Sequence, residues 1–180
     1  MQQIFSIVFI SCISLAFTQN DWQIFSNPSG NFKVEVPGTM QENVQEIQTA
    51  IGPLTYHTFI HQSTQDSADN VLYLLSYCDY PEGGMHSDST ALLKDFFETT
   101  ISTATESVDG VLAYSTEDQL GDYPGRLWRI HYNGGAATIK TKAFLVGPRF
   151  YSVQTVTYRE RSLNKSSERY LNSFRLLTKQ

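Results

Sequence analysis

Short segments in which apolar and polar residues alternate make up most of the chain after residue 20, a pattern typical of β-strands. Residues 71–79 are apolar at almost every position, so we expect this strand inside a sheet that is covered on both faces. Residues 40–49 are more polar and predict an edge strand. The other predicted strands cover residues 22–25, 32–36, 54–61, 111–120, 127–132, 136–146 and 150–158.

One long segment has a four-residue apolar period instead. Leu92, Phe96, Thr100, Ala104 and Val108 recur at this spacing among charged residues, which predicts an amphipathic helix of about 19 residues, roughly 28 Å long. A shorter helix is predicted after residue 161. Because hairpin turns connect most strands, the sequence predicts the α+β class: an antiparallel sheet covered by one long amphipathic helix and a short C-terminal helix.

The chain begins with an uncharged, mainly apolar run at residues 4–17. A helix that spans a bilayer needs about 17–25 such residues, so this shorter run is typical of a secretory signal peptide, although the usual basic residues before it are missing. We expect cleavage after Ala16 or Thr18. The sequence therefore predicts a signal peptide at 1–18, a single domain at 19–180 with no transmembrane segment, and a secreted or periplasmic location.

The chain has two cysteines, too few for a disulfide framework. Cys12 follows a sequence that loosely resembles a lipoprotein processing site, so it is either lipid-anchored or discarded with the signal peptide. The apolar residues after Cys12 favour the second alternative. Cys78 has no basic neighbour in the sequence that would activate its thiol, and we expect it to be a small buried residue.

Several turn and core motifs resemble those of a group of exported bacterial proteins of uncharacterised function. They lie at residues 22–38, with the pattern Gly-x-Phe-x-Val-x-x-Pro, and at residues 51–53, 144–153 and 170–176. The order of elements is similar to the PsbP-like fold of a photosystem II extrinsic subunit, and a Ran-binding nuclear-import factor is similar in fold. The resemblance covers most of residues 21–177 and implies an α+β architecture. Its motifs are structural, and none is a catalytic signature.

The sequence contains no phosphate-binding loop, dinucleotide-binding, zinc-protease or serine-hydrolase motif. His57 and His61 share a strand face but lie about 13 Å apart, too far for one metal ion. The acidic residues of the central loops lack the spacing of calcium ligands. We therefore expect no metal and no cofactor.

Charge is distributed unevenly along the chain. Residues 1–122 carry 2 basic and 16 acidic side chains, a net charge of −14, whereas residues 123–180 carry 11 basic and 2 acidic side chains, a net charge of +9. If Asn133 and Gly134 form a two-residue hairpin turn, residue 129 pairs with residue 138. Arg129, Lys140 and Lys142 then share one solvent-facing side of the hairpin, and we expect them to bind an acidic partner.

Two functions remain open on these grounds. The first is a non-catalytic binding or assembly module whose partner is an acidic protein or an envelope component. Nucleic acid is not expected, because the net charge is −5 and the chain carries an export signal. The alternative is an extracytoplasmic hydrolase whose site is assembled from scattered polar residues such as His57, His131 and Asp122. The absence of a catalytic motif favours the first. The sequence does not determine the oligomeric state.

Overall fold

Two antiparallel sheets and two α-helices form the protein in a computed structural model that describes residues 22–49 and 52–177. A 3-10 turn at Arg159–Arg161 precedes the second helix. The strands are β1 (Gln23–Asn27), β2 (Phe32–Val36), β3 (Gln41–Thr49), β4 (Gly52–Gln62), β5 (Leu72–Asp79), β6 (Val111–Leu120), β7 (Tyr123–Tyr132), β8 (Ala137–Val146), β9 (Arg149–Tyr158) and β10 (Arg175–Leu176); the helices are α1 (Thr90–Glu106) and α2 (Lys165–Ser173).

The larger sheet has seven strands in the order β3-β4-β5-β9-β8-β7-β6, and the smaller sheet has three in the order β1-β2-β10. All neighbouring strands in both sheets are antiparallel. β5 lies inside the larger sheet, as the apolar residues 71–79 predict. β3 and β6 form its edges, and most of their side chains are exposed.

The smaller sheet and α2 cover one face of the larger sheet, which we call the small-sheet face. Phe32 and Tyr170 come from this cover and pack in one apolar cluster with Leu75 and Tyr151 of the larger sheet. All four side chains are almost completely buried. α2 begins at Asn164, whose side-chain oxygen accepts a hydrogen bond from the backbone N–H of Ser167 at 2.6 Å.

Helix α1 lies on the opposite face, which we call the α1 face. Phe97 and Ile101 of α1 pack against Trp128, Ile130 and Leu145 of the sheet, and they are the only α1 side chains that become fully buried. The helix packs chiefly along β7. The buried stripe of α1 is therefore narrow.

The expected α+β class is wrong, because 52% of the described residues are in strands and 19% in helices, which makes the described part of the protein mostly β. The expected cover by a long helix is also wrong. Helix α1 has 17 residues and buries only two side chains, so it leaves part of that face of the larger sheet uncovered. On the other face, a second sheet supplies much of the layer that the sequence assigned to helices.

The hairpin between β7 and β8 has a four-residue loop instead of the expected two-residue turn. Tyr132 pairs with Ala137, so Arg129 lies opposite Lys140 and not opposite residue 138. Three successive residues, Asn133, Gly134 and Gly135, have positive φ angles of 53°, 62° and 86°. The second glycine adopts this conformation at little cost, so the left-handed segment continues past the predicted turn.

The predicted signal peptide at 1–18 and Cys12 lie outside the described residues, so both remain predictions. Within residues 22–49 and 52–177, neither helix has the length and apolar character needed to cross a membrane.

Candidate functional site

The three basic residues expected to bind an acidic partner do lie on one face of the β7–β8 hairpin. Arg129 pairs directly with Lys140, and Lys142 lies two residues further along β8. Both lysines contact acidic residues of this chain: Lys140 Nζ contacts Glu168 of α2, and Lys142 Nζ lies 3.1 Å from Asp118 Oδ2 of β6. Their side chains are only 12% and 19% exposed.

Arg129 differs from the two lysines because it forms no ion pair within the described residues. Its guanidinium carbon lies 5.3 Å from the centre of the Tyr114 ring, and its Nε is buried without a hydrogen-bond partner. The basic face is thus partly occupied by contacts inside the protein. Its role in binding an acidic partner remains a prediction.

The residues suggested for a hydrolase lie apart from one another. His57 belongs to β4, where its ring stacks on Tyr77 at 4.6 Å, whereas His131 belongs to β7, where Nδ1 lies 3.1 Å from Thr138 Oγ1. Three strands separate β4 from β7, which corresponds to about 19 Å at the usual strand spacing. Asp122 lies in the turn between β6 and β7. The described residues also contain no group of three or more His, Cys, Asp or Glu side chains placed to hold a metal ion.

A groove of about 860 Å³ opens where α1 leaves the sheet uncovered. We call it the α1 groove. Small side chains on two adjacent strands create part of its floor, because Ser76 of β5 pairs with Ser152 of β9. The residues that line it are Thr49, Tyr56, Ser76, Tyr80, Met85, Leu92, Asp95, Phe96, Thr99, Thr100, Thr103, Ala104, Ser107, Trp128, Phe150, Ser152 and Gln154.

Aromatic packing forms one wall of the α1 groove. The Phe96 ring of α1 makes edge-to-face contacts with Tyr80 and Phe150, each with ring centroids 5.6 Å apart. Such contacts hold bulky side chains in defined orientations. The wall is therefore preformed by contacts between α1, the end of β5 and the start of β9.

Two buried polar groups at the floor of the α1 face have no hydrogen-bond partner within residues 22–49 and 52–177. Trp128 is 1% exposed and lines the groove, and its indole Nε1 has no partner. Thr141, which pairs with Trp128 across β7 and β8, is fully buried, and its Oγ1 also has no partner. An unsatisfied buried donor or acceptor costs about 1–3 kcal/mol, so such groups are uncommon where no partner can reach them.

The groove is close to electrically neutral. Asp95 is the one acidic or basic side chain among the described residues that line it. Burial raises the pKa of Tyr80 to about 12 and also raises the pKa of Tyr56, so both phenols stay protonated at physiological pH. Burial likewise raises the pKa of the nearby Cys78 thiol to about 11, which disfavours the nucleophilic thiolate.

A second groove, of about 640 Å³, lies on the other side of α1 against β6. We call it the β6 groove. Its lining includes four charged residues, Glu98, Glu106, Glu117 and Arg126, and so differs in character from the α1 groove.

No protein-family model matches this chain, and no curated protein matches it. The α1 groove was not predicted from the sequence. Two signals point to it in retrospect: Thr100 occupies a position in the expected apolar stripe of α1, and small serines stand between large side chains at residues 76 and 152.

Proposed function

We propose that this chain is an exported, non-catalytic binding module that holds a small, mostly apolar molecule in the α1 groove. The observation that carries the proposal is the groove itself, which combines aromatic walls and small polar residues with the buried, unpartnered indole N–H of Trp128 beneath them. Ligand sites in proteins are typically concave, about 300–1,000 Å³ in volume and mostly apolar, with a few convergent polar groups. The α1 groove has these properties.

Three further observations support a binding role rather than catalysis. The histidines and the aspartate considered for a hydrolase lie apart. The buried Cys78 favours its protonated thiol. The described residues that line the groove include one carboxylate and no histidine. Export and kinship with the group of exported bacterial proteins are parts of this proposal, supported by the apolar run at residues 4–17 and by the motifs quoted above.

The test uses N-phenyl-1-naphthylamine, a neutral apolar fluorophore whose emission rises in apolar surroundings. We expect it to bind the purified protein at one saturable site. Thr103 is exposed on α1 and lines the α1 groove, so Thr103→Phe adds a ring to its wall and should weaken binding at least about tenfold.

The neighbouring residue provides a matched control. Ser102 is also exposed on α1 but lines the β6 groove, so Ser102→Phe should leave fluorophore binding within about twofold of the wild type. Thermal unfolding confirms that both variants are folded. Equal binding by the wild type and Thr103→Phe, or loss of binding in Ser102→Phe alone, would contradict the assignment of the site to the α1 groove.

A further inference from the structure

The partner missing from Trp128 defines one chemical feature of a ligand. An indole N–H donates a hydrogen bond and cannot accept one, so its partner must carry an acceptor. The side chains that pair with Trp128 across the sheet are Ser115 and Thr141, and no hydrogen bond joins either of them to the indole. Trp128 lines the α1 groove but its Nε1 is itself buried, so a molecule in the groove supplies the acceptor only once the groove side chains that cover the indole have moved aside.

The charges of the groove define a second feature. Among the described residues, no lysine, arginine or histidine lines it, and the one carboxylate there, that of Asp95, repels anions. A carboxylate or phosphate group would lose its hydration there without gaining a cationic partner, which is costly. The phenols of Tyr56 and Tyr80 are neutral donors and acceptors. An uncharged head group complements these surroundings better than an anionic one.

The walls define the third feature. Met85, Phe96 and Phe150 offer apolar and aromatic surface, and methionine adapts to irregular apolar shapes. An aliphatic chain or flat apolar ring system that packs against them would leave water because of the hydrophobic effect. The ligand therefore needs an apolar body in addition to its acceptor.

We infer that the α1 groove binds an uncharged amphiphile, such as a neutral lipid or ester, whose carbonyl oxygen accepts a hydrogen bond from the indole N–H of Trp128. This inference rests on the proposed function, since it assigns the ligand class of the same groove.

The first experiment compares two probes of equal chain length, methyl decanoate and decanoate, as competitors of the bound fluorophore at pH 7.5. The neutral ester should displace the fluorophore at a concentration at least about tenfold lower than the carboxylate, because the anion has no cation to meet in the groove. Equal displacement by both, or stronger displacement by decanoate, would overturn the assigned ligand class.

The second experiment observes the hydrogen bond itself. The chain has two tryptophans, so the indole region of a ¹⁵N–¹H spectrum contains two signals, which Trp22→Phe assigns. Methyl decanoate should shift the Trp128 indole N–H downfield. The Trp22 signal should stay unchanged, because Trp22 packs against Tyr73 and Arg169 on the small-sheet side. An unchanged Trp128 signal at saturating ester would show that the indole N–H does not meet the ligand.

A substitution then measures the contribution of that bond. Trp128→Phe removes the donor but keeps an aromatic ring, so its affinity for methyl decanoate should fall roughly three- to tenfold while its affinity for the fluorophore changes less. If this variant fails to fold, the wild-type spectrum decides the question.

These outcomes separate the two proposals. If the fluorophore does not bind, or if Thr103→Phe does not weaken its binding, the proposed function is wrong. Fluorophore binding in the groove, together with an unmoved Trp128 signal and no preference for the ester, means that the binding site stands and only the ligand class is wrong.

Discussion

At the residue scale, a buried polar network joins the loop before β5 to the first turn of α2. Asn70 is fully buried; its amide nitrogen donates to Tyr73 Oη at 2.9 Å, and its carbonyl oxygen accepts from Ser167 Oγ at 2.7 Å and from Asn164 Nδ2 at 3.1 Å. Because both polar atoms of Asn70 are paired, the network fixes the loop against α2 rather than costing stability.

We predict that Asn70→Ala destabilises the protein by roughly 2–4 kcal/mol, because Tyr73 and Ser167 each lose a hydrogen-bond partner in the interior. The midpoint of thermal unfolding should fall by about 5–12 °C. Asn43→Ala, at an exposed position of the edge strand β3, is the control and should change the midpoint very little. A midpoint for Asn70→Ala within about 1 °C of the control would show that the network contributes nothing.

At the scale of elements, the sequence predicts where the strands lie along the chain but not which elements cover each face of the sheet. Alternation along residues 32–36 or 150–158 depends on neighbouring residues only, and β2 and β9 lie there. The breadth of sheet that α1 covers depends on which side chains meet across the sheet, and the apolar period of α1 includes Thr100, which stays partly exposed. Its Oγ1 donates to the backbone oxygen of Phe96 within the helix at 2.8 Å.

For the candidate sites too, the sequence predicts local features but not the contacts between elements that are distant in the chain. That Arg129, Lys140 and Lys142 share a face follows from strand alternation, and the structure agrees. Their carboxylate neighbours, Asp118 and Glu168, come from β6 and α2, which the spacing along the hairpin does not indicate. The α1 groove is even harder to predict from the sequence, because its lining comes from α1 and from strands that meet only after the whole sheet has formed.

We predict that simultaneous replacement of Arg129, Lys140 and Lys142 by serine lowers stability. The two lysines are mostly buried and contact Glu168 and Asp118, so the variant loses ion pairs and the packing of the long side-chain stems. A loss of about 1–3 kcal/mol corresponds to a midpoint roughly 3–10 °C lower. On the sequence alone, with all three residues facing solvent, no such loss would be expected.

Replacement of the exposed residues Lys33, Lys94 and Lys165 by serine is the matched control, since it changes the net charge by the same amount. Equal midpoints for the two triple variants would show that the basic face does not stabilise the fold. In that case these residues would be available to an acidic partner, as the charge distribution predicts.

At the scale of the whole molecule, the larger sheet separates two apolar layers that are built differently. The layer on the small-sheet face is closed: its aromatic rings include Phe32, Tyr77, Tyr151 and Phe174, which contact one another in a continuous cluster. The layer under α1 is interrupted by a groove on each side of the helix. We infer that the first layer supplies most of the stability and that the second leaves room for binding.

Buried phenols are numerous in these layers, and they make stability depend on pH. Burial raises the pKa of each of these tyrosines above its usual value of 10.0, so the folded protein holds protons that the unfolded chain releases in alkaline solution. Burial also raises the pKa of the Cys78 thiol, from 9.0 to about 11, and so has the same effect on stability. The tyrosines are Tyr56, Tyr73, Tyr77, Tyr80, Tyr151 and Tyr170.

We therefore predict that the free energy of unfolding is nearly constant from pH 7 to about pH 8.5 and falls increasingly as the pH rises through 9 to 11. The sign follows from linkage: where the folded state binds more protons, stability decreases with pH, by about 1.4 kcal/mol per pH unit for each proton. Tyr170 provides the most direct test, because it is fully buried and its hydroxyl has no hydrogen-bond partner in the part of the chain that the structure describes. Tyr170→Phe should keep the neutral-pH stability, since no hydrogen bond is lost. It should reduce the slope of unfolding free energy against alkaline pH by up to one proton, as measured in denaturant titrations at each pH.

Tyr158→Phe, at an exposed tyrosine, is the control and should follow the wild-type curve. An alkaline slope in Tyr170→Phe equal to that of the wild type would mean that buried phenols do not govern the stability of this fold at high pH.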